Sequence, residues 1–322
     1  MYRKILVALD GSEVSEQVLP YARFFAAGLK APVVLLRAYA PPDLDWSDTV
    51  HDEYTFVAPK EVQETEGRAK GHIYLDQALE HEGERAQEYL DKVAGDLKRA
   101  KVQVTTKVEA VPAADAILKE ANKDPLTLII MGTHGRSGLA RMALGSVADK
   151  VLHASGSPLL LVHALKDQEL ARRATVRNIV LPLDGSPLAE EALSTAAVVA
   201  RSLDAKVTSV WAVPPAMGYY GDYMTYDARA YLEMYEETEK AAKEYLGRVS
   251  KNLTGAGVAK VDAKVVMQDP ASAIIDLAQS LQDSLVVMTT HGRSGLGRWA
   301  LGSVADKVVR HVGRPVLLLR SS

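Results

Sequence analysis

The chain writes one segment twice. Residues 131–151 read MGTHGRSGLARMALGSVADKV, and residues 288–308 read MTTHGRSGLGRWALGSVADKV. From Thr133 to Val151 the copies differ only at Ala140/Gly297 and Met142/Trp299. Each copy also opens on a matched strand and turn, KILVALDGS at 4–12 and NIVLPLDGS at 178–186. Self-similarity this close means one structural unit built twice, so fold and site arrive in pairs. The 322 residues suit two domains of ordinary size, read as 1–163 and 177–322. Between them ALKDQELARRATV, at 164–176, is polar, lacks a strand pattern and reads as the linker.

Within each half, short apolar runs predict strands at 4–9, 33–39, 102–108, 127–131 and 159–163. Their partners fall at 178–183, 207–213, 261–267, 285–289 and 316–320. Most are continuously apolar rather than alternating, which suits parallel strands buried on both faces. Helical patterns lie between them at 13–29, 82–100 and 113–122, repeated at 187–203, 238–253 and 271–282. This alternation predicts an α/β fold with a doubly wound parallel sheet in each half. Ser186 is placed to cap a helix whose first residue is Pro187, with Glu190 and Glu191 near its positive dipole end.

The halves differ most after their second strand. Asp10 to Gly132 spans 122 residues and Asp184 to Thr289 spans 105, so the first half carries about 17 more. The excess is expected within the acidic, irregular stretch 43–81. The second half has a tyrosine-rich counterpart holding Tyr219, Tyr220, Tyr223, Tyr226, Tyr231 and Tyr235. A solvated loop leading into a helix accounts for each; a lid or an interface is the functional alternative.

Composition narrows the function classes. A formal charge of −3 and a pI near 6.3 advertise no basic surface for nucleic acid. With no cysteine there are no disulfides, thiolate metal sites or cysteine nucleophiles. The opening MYRKILVALD is too short in its apolar part for a signal peptide, and no apolar run nears the roughly 20 residues that span a bilayer. The expectation is a cytoplasmic protein with no membrane partner.

The duplicated segment carries the chemistry. In the first half it runs Gly132-x-x-Gly135, nine residues, then Gly145-Ser146, after an apolar strand and before a helix at about 146–154. Glycines at a strand end let backbone N–H groups approach an anion with no Cβ in the way. A helix N-terminus adds unpaired N–H groups and a favourable dipole. That dipole is worth only about 0.3–1 kcal/mol at an exposed site, so charge-assisted hydrogen bonds must carry most of any affinity. Arg136 and Arg141, repeated as Arg293 and Arg298, could offset phosphate charge. The plain alternative is structural: Ser146-x-x-Asp149 also fits a capping box, and LDGS fits a turn that merely feeds a helix. The pattern is neither a Walker loop nor a dinucleotide fingerprint.

Gly132-x-x-Gly135-x9-Gly145-Ser146, with LDGS after the first strand, resembles the universal stress protein family in its tandem form. The resemblance covers both halves outside the linker and the insertions. It implies two tandem doubly wound domains of the adenine nucleotide alpha hydrolase-like (HUP) kind, each a five-stranded parallel sheet of order 3-2-1-4-5. ATP, or ADP or AMP, with or without Mg2+, is then implied across the strand ends, at the topological switch point. Carried over residue by residue, Asp10 and Asp184 contact adenine or ribose, and Ala38 and Ala212 offer backbone to the base. Gly132, Gly135, Gly145, Ser146 and Val147 hold phosphates in the first half, and Gly292, Gly302, Ser303 and Val304 in the second. Met131, Met288, Pro182, Arg136 and Arg293 edge the two sites. The family's last strand pairs two domains, which implies a pseudo-dimer within the chain and a homodimer of chains.

Two positions depart from the motif. Thr289 replaces the first glycine, and a β-branched residue does not easily adopt positive φ, so the second loop is either ordinary there or altered. Ala8 stands where the second half has Pro182. His134 and His291 lie within the loops but lack a serine–aspartate partner at recognisable spacing, and no histidines are spaced as metal ligands. The expected function is nucleotide binding in a stress-response or regulatory role, without rapid turnover. Phosphoryl transfer needs metal-holding carboxylates and a positioned base, which the loops do not supply. The alternatives are a slow ATPase or nucleotidyl transferase in the same cleft, and an interaction module with vestigial sites.

Overall fold

A computed structural model of the chain describes residues 2–39, 67–133, 144–163, 174–214, 228–291 and 301–320. Residues 43–66 of the stretch 43–81 and the tyrosines from Tyr219 to Tyr226 therefore lie outside the described residues, as does linker segment 164–173.

In the first half, strands β1 (Lys4–Ala8), β2 (Val33–Ala38), β3 (Val104–Glu109), β4 (Thr127–Gly132) and β5 (Leu159–Val162) alternate with helices. The helices are α1 (Glu13–Glu16), α2 (Leu19–Leu29), α3 (Gly67–Arg99), α4 (Ala113–Ala121) and α5 (Ser146–Ala154). The second half repeats this with β6 (Asn178–Pro182), β7 (Lys206–Val213), β8 (Val261–Met267), β9 (Ser284–Thr289) and β10 (Val316–Leu319). Its helices are α6 (Pro187–Glu190), α7 (Ala192–Leu203), α8 (Ala228–Gly255), α9 (Pro270–Ser280) and α10 (Ser303–His311). Each half-sheet is parallel, in the expected order 3-2-1-4-5.

The helical readings need correction at two places in each half. The pattern at 13–29 is two helices, because Pro20 has no N–H to return to the carbonyl of Glu16 and the chain tightens at Gln17–Val18. The same break falls at Glu191, without a proline. The helices read at 82–100 and 238–253 begin earlier, at Gly67 and Ala228, and part of the first half's excess length is helix: α3 has 33 residues and α8 has 28.

The halves join into one ten-stranded sheet through an antiparallel pair, β5 against β10, with Leu160 opposite Leu317. Both strands would otherwise be apolar sheet edges, and Leu159–Val162 is buried throughout. Each face of the joined sheet carries a hydrophobic layer that runs across both halves. On one face α2 meets α7. There Gly28 makes close approach possible, since a Cβ on it would collide with Leu203 Cδ2 and stand 2.8 Å from the Ser202 carbonyl. Tyr2 is half-buried at this seam beside Thr195, and loss of solvent around it pushes its phenol up to about 12 although that contact opposes the shift. On the other side of the seam the His163 ring nitrogens face the carbonyls of Val309 and Arg314.

Two polar features are private to one half. Glu120 on α4 is 7 % exposed and accepts hydrogen bonds from Lys107 (2.6 Å), Lys123 (2.7 Å) and Lys4 (3.1 Å). Burial opposes its ionisation, but the three ammonium groups outweigh burial and hold the carboxyl at about 2. The corresponding residue in the second half is Leu277, packed in the core. In the second half Ser209 lies fully buried in β7, with no hydrogen-bond partner for its hydroxyl among the described residues, where the first half has Leu35.

Both features are testable. Because the Glu120 carboxyl is lowered on folding, its contribution is complete above pH about 4.5 and fades as pH falls toward 2. Glu120→Gln should cost on the order of 2 kcal/mol near neutrality. Urea melts should show its gap from the parent narrowing across that acid interval. Ser209→Val should raise stability by about 1 kcal/mol, since it removes an unpaired buried hydroxyl and adds apolar volume. A loss in the same melts would mean that the site cannot admit the larger side chain.

Candidate functional sites

The turn after each first strand is built by its own sequence. Gly11 (φ +86°) and Gly185 (φ +78°) take the left-handed conformation that lets Asp-Gly-Ser reverse direction. Ser12 donates to Asp10 Oδ1 from its backbone (2.9 Å) and hydroxyl (2.6 Å), while its oxygen caps α1 by accepting from Ser15 N. Ser186 repeats this, donating to Asp184 Oδ1 at 3.0 and 2.6 Å and accepting from Ala189 N at 3.2 Å. The turn therefore does start a helix, as the structural alternative held. It also fixes a carboxylate at the end of the central strand.

Behind each turn stands a tyrosine from the long helix. Burial and the neighbouring carboxylates Glu16 and Asp10 hold the proton on Tyr89; burial with Glu190 and Asp184 does so for Tyr245. A guanidinium lies over each ring, Arg37 at 5.1 Å and Arg248 at 5.9 Å. The second-strand residue beside the turn differs between halves. Arg37 packs against Gly11, whereas Trp211 meets Tyr245 edge to face.

At the opposite side of each cleft a helix begins on glycine. Gly145 (φ −63°, ψ 149°) is the N-cap of α5 and Gly302 (φ −60°, ψ 146°) that of α10, with no side chain capping either. Ser146 is thus the first helical residue and not the cap, so the capping-box alternative fails at that position. Gly145 N donates to the Thr133 carbonyl (2.8 Å) and Gly302 N to that of Thr290 (2.9 Å), which pins each helix start to its strand end. A Cβ on Gly302 would stand 3.0 Å from that carbonyl, so the position leaves little room for any larger residue.

Turn and helix start are brought together around one cavity in each half. In the first, of about 350 Å3, Asp10, Ala38, Met131, Gly132, Gly145, Ser146 and Val147 all line the walls. In the second, of about 300 Å3, so do Pro182, Asp184, Ala212, Met288, Gly302, Ser303 and Val304. Gly135, Arg136, Arg141, Gly292, Arg293 and Arg298 lie outside the described residues. Sequence reasoning missed the helical wall, Ala113 with Ile117 and Pro270 with Ile274. Its signal was present in the apolar face of 113–122. Thr289 ends β9 in regular register opposite Leu319, and neither it nor Gly132 has positive φ, so that position asks no glycine of the backbone. His291 lines the second cavity, its Nδ1 3.1 Å from Thr290 Oγ1. Among the described residues no three acidic or histidine side chains gather as a metal group, and no helix is long and apolar enough to cross a membrane.

The universal stress protein family model matches residues 1–163 and again 175–320. The chain belongs to the universal stress protein family. A universal stress protein of Mycolicibacterium smegmatis is 27 % identical over 98 % of this chain and 96 % of its own length. A putative universal stress protein of Staphylococcus aureus, 33 % identical, aligns with 46 % of this chain and 86 % of itself. Among solved structures, a universal stress protein from Archaeoglobus fulgidus shares the fold with a TM-score of 0.64 at 20 % identity, covering 99 % of this chain and 98 % of that one. The two-fold match agrees with the two cavities of this universal stress protein, one in each matched unit.

The serine tether gives a prediction for both halves. Ser12→Ala and Ser186→Ala should each lower stability by about 1 kcal/mol through loss of the cap. The hydroxyl's hydrogen bond to the aspartate is lost as well. Changes confined to one half's amides in NMR spectra would show that the two turns act locally.

Proposed function

We propose that each half binds one adenine nucleotide, ATP or its di- or monophosphate, and that the chain serves a regulatory, stress-linked role without rapid turnover. One observation carries the reading: twice over, a fixed carboxylate and a glycine-capped helix start face each other across a cavity above the strand ends. The two ends want opposite partners. Asp10 and Asp184 accept hydrogen bonds from an amine or a sugar hydroxyl and repel phosphate. The N–H groups of Ser146 and Val147, and of Ser303 and Val304, belong to first turns with no intrahelical acceptor and suit an anion. Apolar walls between the ends, such as Met131 with Ile117 and Met288 with Ile274, suit a flat base. The position over the carboxyl ends of the strands, between β1 and its neighbours, agrees with the general rule for open α/β sheets.

Mg2+ enters this reading as the nucleotide's own counter-ion. A bound nucleotide acts here through stability and shape: at about 100 times its dissociation constant it adds about 2.7 kcal/mol to the folded state. Each half is the other's partner across β5 and β10, and pairing of whole chains into a homodimer belongs to the same proposal.

Nucleotide released from freshly purified protein on denaturation, resolved by chromatography with mass detection, tests the reading. One to two adenine nucleotides per chain are expected, with a rise in melting temperature on adding ATP. Asp10→Ala combined with Asp184→Ala should abolish both effects. Protein that carries none and does not respond to ATP would leave the clefts without this role.

A further inference from the structure

The ten-stranded sheet ends on β3 in the first half and on β8 in the second, with no strand beyond either among the described residues. An open edge offers backbone donors and acceptors to a passing chain, so its side chains decide what pairs there. On β8 two bonds to β7 fix which groups remain available. Val207 N donates to the Lys260 carbonyl (2.9 Å), and Gln268 N donates to that of Val213 (3.0 Å). Main-chain groups alternate along a strand, so those of Lys260, Asp262 and Lys264 face β7. Those of Val261, Ala263 and Val265 point outward.

The outer edge of β8, Val261-Asp262-Ala263-Lys264-Val265, is complementary to its own reverse. An antiparallel second copy centred on Ala263 sets Val261 against Val265, and both valines exchange N–H···O bonds through their outward groups. Asp262 then faces Lys264 twice, at the closer, non-hydrogen-bonded positions, where opposite charges attract across strands. Centring on Asp262 or on Lys264 instead sets like charges face to face, so charge selects one register. Ala263 and Lys264 are exposed, and Asp262 is half-buried. In the single chain Asp262 Oδ1 accepts from Ala263 N (2.9 Å) and Oδ2 from Lys206 (3.2 Å). Pairing hands that N–H to the carbonyl of the second copy and turns the carboxylate toward the facing lysine, with Lys206 still beside it.

The first half's edge is a control written by the duplication. By their pairing with the second strands, Val104 matches Val261, so Thr105 stands where Asp262 does and Lys107 where Lys264 does. The acid is missing there, and the lysine is already held by Glu120 (2.6 Å) and Glu109 (2.9 Å). Thr106, at the centre, receives Gln87 Nε2 from α3 at 2.9 Å. That edge has no complement in itself.

We propose that two chains pair edge to edge through β8, antiparallel about Ala263, with Asp262 and Lys264 of each copy bonded across the two-fold axis. The contact is isologous, and it closes at two chains because the β3 edges stay unmatched. The proposal rests on the homodimer reading given above, for which it names the surface, and not on the nucleotide.

Sedimentation velocity of the full chain at rising concentration tests this, with melting curves confirming that each variant is folded. The parent should approach twice the 34.8 kDa of one chain. Ala263→Pro removes an N–H that β7 does not use, so it should keep the fold and lose the dimer. Lys264→Glu and Asp262→Lys should each be monomeric, because each sets like charges across the axis. Mixed together, those two variants should pair, since every acid then faces a lysine. Thr106→Pro, on the other edge, should sediment as the parent does. A dimer that survives Ala263→Pro and Lys264→Glu, or one lost through Thr106→Pro, would overturn the β8 contact and leave the homodimer standing on another surface. A parent that stays at the mass of one chain would remove the homodimer itself. Nucleotide released from the same samples reads the cleft separately, so neither failure passes for the other.

Discussion

The pairing of β5 with β10 is the contact on which the rest depends. Each strand is four residues of almost unbroken apolar sequence, and each would be a bare edge if its half stood alone. Set antiparallel, they exchange backbone hydrogen bonds and turn two five-stranded sheets into one of ten. The hydrophobic layers on both faces then run through the seam rather than stopping at it. The helices that cover those layers hold the two clefts at fixed places, above the strand ends of each half.

Within each half the constraint passes from turn to helix. The left-handed glycine after the first strand lets the serine reach back to the aspartate and forward to a helix N–H with the same oxygen. One hydroxyl thus sets both the direction of the carboxylate and the start of the next helix. Tyr89 and Tyr245, from the long helices, stand near that unit, where burial and the carboxylates Glu16 and Glu190 keep both phenols protonated.

Much of this was legible in the sequence, for physical reasons. Buried parallel strands need continuous apolar runs, and all ten observed strands begin within two residues of the predicted ones, including the half-exposed edge strands β3 and β8, whose runs are mixed. The LDGS and Gly-Ser signals marked both ends of each cleft. Other parts were not legible. The break at Glu191 has no proline to announce it, and the start of α3 lay in acidic, irregular sequence. The φ of position 132 could not be read from the glycine there, and Thr289 shows that regular strand geometry suffices. Likewise Ser146-x-x-Asp149 satisfied a capping pattern that the preceding glycine forestalled, since only the chain's path shows which residue leaves the helix.

At the seam, Gly28 of α2 corresponds by the repeat to Ser202 of α7, and the two lie where the halves come closest. A symmetric pair made from two second halves would put a serine at both places, and a Cβ at the first is what Leu203 and the Ser202 carbonyl exclude. Covalent linkage removes the requirement that both sides of an interface be the same. The halves have become a lock and its key: one has given up a side chain so that the other may keep its own, and separated they would fit each other better than the second half would fit itself.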